Sequence, residues 1–246
     1  MDNHILFVFE GKRTEDLLYR SLSNYFITED SIITCAYCAE VYQLYEQVKE
    51  DEYLNVFSLL KEIPENEKIL MDYSTSDFSQ IYLFFDYDGH SSIADDKSVE
   101  KLLKLFNEET SFGKMYLSYP MVEALRHCSE NFDFETLTVE AKKNIRYKKI
   151  VDEQSDKTYK QVNNYDLSIW RTLINLHLKK MNKLIKDSFS LPTKTYSQED
   201  IFFHQLDKYI KPKNEVAVLG AFPIFLLDYY GVNTLKQKVT RCKENK

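Results

Sequence analysis

Two short apolar runs, residues 5–9 (Ile-Leu-Phe-Val-Phe) and 81–85 (Ile-Tyr-Leu-Phe-Phe), both close on acids: Glu10 after the first, Asp86 and Asp88 after the second. Runs this short and this unbroken are the mark of parallel strands covered on both faces. In an open α/β sheet the carboxyl ends of such strands line one crevice, and ligands bind there. Three carboxylates gathered in that crevice repel one another unless a cation lies between them. The runs therefore predict a helix-covered sheet, and the acids that end them point to a divalent metal site.

The rest of the chain is read around those two strands. Thr14 is expected as the N-cap of a helix reaching about Phe26, with Leu17, Leu18, Leu22 and Phe26 on its buried face. Residues 32–39 are expected as a second strand, 41–50 as the helix returning from it, and 53–79 as a partly helical insertion with a turn at Pro64. A helix is predicted from about Lys97 to Glu108, then a fourth strand at 114–118. Pro120 suits the first turn of a further helix that would carry Glu123 toward the crevice. The alternation predicts the α/β class, a mainly parallel sheet flanked by helices over residues 1–128, with a helical extension over 129–246. In that extension 165–189 reads as one long helix and 198–209 as another, while 215–230 is apolar but interrupted by Gly220 and Pro223.

Composition narrows the class. A hydrophobic fraction of 43% is ample for a packed core, and 18 Tyr and 16 Phe beside 5 Gly and 5 Pro suit a compact, helix-rich protein rather than a many-stranded sandwich. A net charge of −7 argues against a general nucleic-acid coat protein, but it leaves room for an acidic centre offset by a local basic surface. Met1-Asp2-Asn3-His4 has no basic leader, and the longest apolar stretch, near 216–227, is short and contains Pro223. A soluble, cytoplasmic protein without a membrane partner is expected. Cys35 and Cys38 have CxxC spacing with no second pair; on a strand they would face opposite sides, so reduced thiols are expected.

Glu10, Asp86 and Asp88 offer the oxygen ligands that hard cations require. Asp86 and Asp88 stand two apart, so an extended backbone points both the same way. Gly11 and Gly89 beside them leave room for an approaching phosphate. A bound Mg²⁺ (or Mn²⁺) would orient a phosphodiester and lower the pKa of a water, with Glu10 as the alternative base. A basic cluster at Lys142, Lys143, Arg146, Lys148 and Lys149 either grips a phosphate backbone or forms a solvated face, and Lys179, Lys180, Lys183 and Lys186 would extend it. His90 reads as a loop residue, and His4, His127, His177 and His204 lack ligand spacing.

With strand-Glu10-Gly11 and Asp86-x-Asp88 in this order, the chain resembles the Toprim fold of topoisomerases, primases and phage-defence nucleases. Glu10-Gly11-Lys12-Arg13-Thr14-Glu15 is similar to the EGxxTE opening of the RloB-like group, which is often encoded with an ATPase. Ser118-Tyr119-Pro120-Met121-Val122-Glu123 resembles that group's Asn-Pro-x-x-Glu segment, with Tyr119 in place of the preferred Asn. The resemblance covers residues 4–128. It implies a catalytic or metal-binding Glu10, a metal pair Asp86 and Asp88, and auxiliary acids at Glu15, as a metal ligand, and Glu123. Helix-dipole stabilisation is the plain alternative for Glu15. Lys12 and Arg13 are expected to join the later basic cluster on nucleic acid. The implied function is a Mg²⁺-dependent nuclease, the effector of a bacterial anti-phage (abortive infection) system, with a partner ATPase and room for a homodimer. The alternative is a non-catalytic, Toprim-shaped subunit docking on an ATPase, motivated by the aromatic content.

Overall fold

The apolar runs become the centre of one sheet. The computed structural model describes residues 4–27, 32–50 and 55–240. Strands β1 (His4–Phe9), β2 (Ile32–Ala36), β3 (Phe78–Asp86), β4 (Asn107–Glu108) and β5 (Gly113–Ser118) lie in the order β2-β1-β3-β5-β4. All pairs are parallel except the edge pair β4–β5. From β1 the chain runs first to β2 on one side and then to β3 on the other. That reversal is a topological switch point, where the loops part and leave a crevice. Phe9 is in register with Phe84, so Glu10 and Asp86 leave the sheet at the same edge.

Alternation sends Phe7, Phe9, Tyr82, Phe84 and Tyr116 to one face, where they meet the first part of the helix Ala221–Thr240, which kinks at Gly231. Phe222 stacks on Phe84 at 4.9 Å between ring centroids, and Phe225 stands edge-on to Tyr82 at 5.0 Å and to Phe7 at 5.2 Å. Such pairs add about 0.5–1.5 kcal/mol each beyond the area they bury. Pro223 fits in that helix's first turn, where its missing N–H has no intrahelical partner to lose. Behind it runs the helix Leu167–Lys186, capped by Asp166, whose side chain accepts the Ile169 N–H at 2.8 Å. Trp170, Leu173, Ile174, Leu178, Met181 and Leu184 form its buried stripe. One hydrophobic cluster therefore joins residues from both halves of the chain.

The C-terminal half also reaches the crevice. β6 (Thr138–Glu140) pairs antiparallel with β7 (Glu215–Ala217), and just beyond β7 Leu219 bridges Tyr119 at the end of β5. This pairing ties the basic segment 142–149 to the carboxyl edge of the sheet.

Local readings differ from the observed elements at several points, including the first helix, which stops at Ser23 rather than near Phe26, and β3, which starts at Phe78 within the expected insertion. Thr14 is the first helical residue of Thr14–Ser23, and Arg13 occupies the cap position without a side-chain bond. β2 stops at Ala36, and Cys38 turns out to solvent at φ 64° while Cys35 stays buried. The helix Asp96–Leu105 ends early, because Asn107–Glu108 pairs with β5. Pro120 follows a cis peptide outside any helix, and Glu123 sits on the 3₁₀ turn Val122–Arg126. The insertion is helical at Val56–Glu62, Pro64–Asn66 and Glu67–Leu70, and its start at 53–54 lies outside the described residues. No helix among the described residues is long and apolar enough to cross a membrane.

Candidate metal centre

Glu10, Asp86 and Asp88 each present a carboxylate oxygen within 4.8 Å of the other two. Glu10 is anchored on both sides: its N–H donates to the Phe84 carbonyl at 3.0 Å, and its Oε2 accepts the Asp86 N–H at 2.9 Å. Asp86 and Asp88 are buried, and Asp88 takes a φ of +40°. A turn, rather than strand alternation, thus sets the second carboxylate beside the first. Oδ1 of Asp88 is buried without a hydrogen-bond partner.

Tyr87, between the two aspartates, is clamped from three sides. Its hydroxyl donates to Asp96 Oδ1 at 2.6 Å and accepts from Lys142 Nζ at 2.7 Å, and its carbonyl accepts the Tyr42 hydroxyl at 2.6 Å. Gly89 completes the clamp. A Cβ there would lie 2.5 Å from the Tyr87 ring and 2.8 Å from the Ala141 carbonyl. Gly89 is thus required by packing beneath the acids. Gly11 leaves room for the Glu15 carboxylate, which a Cβ would meet at 3.2 Å.

The acids are costly in this state. Burial pushes the Glu10 carboxyl up to about 8, against the pull of the Asp86 N–H and with the help of the Asp88, Glu15 and Glu40 charges. Burial, then the Glu10 and Glu15 charges, holds Asp86 well above the carboxylate range. Burial lifts Asp88 to about 6, opposed by His90. Glu15 is raised by burial and by Glu123, opposed by the N–H of Gly11 that its Oε1 accepts at 3.3 Å.

A cleft of about 630 Å³ opens over these groups, lined also by Lys12, Arg13, Glu40 and Lys148. Glu15 lines it outside the three-oxygen cluster. Glu123 is buried, with Oε1 3.6 Å from Lys148 Nζ and Oε2 unpartnered. Lys12 reaches Glu65 at 2.6 Å. The basic cluster divides: Lys142 is engaged by Asp96 at 2.7 Å, whereas Lys143, Arg146, Lys148 and Lys149 are exposed. Lys180 belongs to no surface; it is buried, and its ammonium donates to the carbonyls of Phe134 and Leu137. Sequence reading missed Glu40, which takes the Ser91 hydroxyl at 2.6 Å. The signal was present, since Glu40 also follows a strand of the same crevice.

The donor set fits a hard divalent cation. Metal–oxygen distances of about 2.0–2.6 Å put two ligands of one ion no more than about 4–5 Å apart, the separation found among these oxygens. A cation would also supply the partner that Asp88 Oδ1 lacks and offset the crowded negative charge. No family profile, curated protein or solved structure matches this chain.

Proposed function

We propose that the chain is a divalent-metal-dependent nuclease of Toprim type, with Mg²⁺ or Mn²⁺ held by Glu10, Asp86 and Asp88. The observation that carries this reading is the convergence of those three oxygens within 4.8 Å at the switch point of a parallel sheet. When bound, the ion supplies charge neutralisation for a phosphodiester and polarises the attacking water. To Glu15 we assign the proton that the water loses, because burial keeps its carboxyl basic and it lines the cleft outside the ion's three oxygens. Lys148, which lines the cleft and faces Glu123, would bind a non-bridging phosphate oxygen and offset charge as the bond to the leaving oxygen breaks. Lys12 and Arg13, on the opposite loop, would bind the flanking backbone. The resemblance noted above extends the proposal to an anti-phage effector in bacteria, acting with a partner ATPase.

Phe7, Phe84, Phe222 and Phe225, among the aromatics that motivated a purely docking subunit, are packed in the core rather than presented to a partner. The direct test is cleavage of DNA and RNA with Mg²⁺ or Mn²⁺ by the wild-type chain, Glu10→Ala and Asp86→Ala. Metal-dependent cutting that both variants lose supports the proposal, and cutting that survives in both rejects it.

A further inference from the structure

A second cleft, of about 320 Å³, opens beside the acidic one, and the two share Met121 and Lys148 as a common wall. Its chemistry is different. Pro120, Met121 and Ile145 give it apolar surface, and Lys143, Arg146, Lys148 and Lys149 line it against one acid, Glu140. His90 lines it too, with Nδ1 3.8 Å from Asp88 Oδ1, so the two clefts also meet at the acid cluster.

Resting on the nuclease reading, we propose that this second cleft seats an unpaired nucleotide next to the scissile phosphate, which makes the substrate class single-stranded nucleic acid. Three observations lead there. First, the volume matches a small-molecule pocket of about 300–1,000 Å³, room for a nucleoside but not for a stacked duplex. Second, its apolar surface is useful only to a base whose flat face is free. In a duplex that face is covered by its neighbours, and only edges and backbone are presented. Tyr147, though it lines the cleft, is buried and hydrogen-bonded to His127 at 3.0 Å, so the surface open to a base is aliphatic.

Third, the cations around the cleft are available. Lys143 is exposed, though it faces the half-buried Glu140 carboxylate at 3.8 Å, and Lys149 faces Glu153 at 3.6 Å as an exposed pair. Exposed pairs of this kind are worth little, so a phosphate displaces the carboxylate readily. Arg146 has no ion pair among the described residues, and its backbone is held in the left-handed region at φ 54° at the start of the helix Tyr147–Gln154. A guanidinium there can lie over a base or bind its phosphate. The strand would then run from the lysines of 143–149, over the shared wall, to the carboxylates.

The test is fluorescence anisotropy on the full-length protein, with Ca²⁺ replacing Mg²⁺. The probes are labelled DNA and RNA single strands of about twelve nucleotides and the duplex of the same sequence. Single strands should bind about tenfold tighter than the duplex. Ile145→Glu and Arg146→Glu should each weaken single-strand binding about tenfold, within the range for loss of a base contact, while Mn²⁺ binding at the acid cluster stays unchanged. Arg146 is exposed, so its variant stays informative if Ile145→Glu folds poorly. Duplex binding equal to or tighter than single-strand binding overturns the inference, as does unaltered binding by Arg146→Glu. The nuclease reading is separable. Metal-dependent cutting of duplex alone keeps it and ends this inference, while single-strand binding lost in Arg146→Glu without metal-dependent cutting ends the nuclease reading and leaves the cleft as a single-strand binding site only.

Discussion

Glu10 and Asp86, 76 residues apart, are joined by a single hydrogen bond, 2.9 Å from the Asp86 N–H to Glu10 Oε2. It stitches the end of β1 to the end of β3 and holds one carboxylate over the other. Two acids kept this close in a buried crevice are unfavourable by themselves, so the geometry is suited to a bound charge of opposite sign.

Metal binding should compete with protons. With Glu10 at about 8 and Asp88 at about 6, the metal-free acids are partly protonated near neutrality. Affinity for Mn²⁺ should therefore rise with pH across that interval, with net proton release on binding. Calorimetry in two buffers of different ionisation enthalpy measures it, and Asp86→Asn should weaken binding at least about tenfold. A pH-independent affinity with no proton release would count against the centre.

The metal-free fold should lose stability as pH rises. The folded carboxyl of Glu10 is raised above its ordinary 4.5, so the folded state binds more protons than the unfolded one between 4.5 and about 8. The stabilisation is complete below 4.5 and lost as pH climbs through about 8. Thermal unfolding with chelator should show Tm falling over that window. Mn²⁺ should restore it at the alkaline end, and Asp86→Asn should raise the metal-free Tm there.

Gly89→Ala should damage the centre from beneath. Its Cβ would fall 2.8 Å from the backbone carbonyl of Ala141, which cannot retreat like a side-chain tip. A cost of about 1–3 kcal/mol is expected, together with weaker Mn²⁺ binding, because Tyr87 and the flanking aspartates must shift. Urea unfolding and metal titration of the same variant check both effects.

His177 should remain neutral throughout the working range. It is fully buried, accepts the Gly220 N–H on Nδ1 at 3.0 Å and donates from Nε2 to the Leu125 carbonyl at 3.1 Å. Burial pushes it down to about 3, opposed by the Leu125 carbonyl. Its contribution to stability is present above the ordinary 6.5 and lost as pH falls toward 3. Its NMR signals should not titrate between about pH 8 and 5, and His177→Ala should cost about 2–5 kcal/mol through the cavity and the orphaned Gly220 N–H.

The central strands and the acids at their ends were legible because both are local signals. An unbroken apolar run needs cover on both faces, and a carboxylate that follows it must leave at the sheet's edge. Element ends were read less well. Asn107 and Glu108 carry helical pattern, yet β5 claims them for a ladder.

What no window of sequence holds is which distant groups meet. Five cations between 142 and 149 look alike in the chain, but the β6–β7 pairing turns Lys142 inward onto Asp96 and sets Lys148 over the cleft. The same long-range packing brings Glu40 to the acids and clamps Tyr87 beneath them. By itself the sequence determined the class of sheet and the three carboxylates that crown it. Tertiary structure decided their partners, because side-chain periodicity is fixed within a few residues while burial and charge pairing depend on segments far apart in the chain.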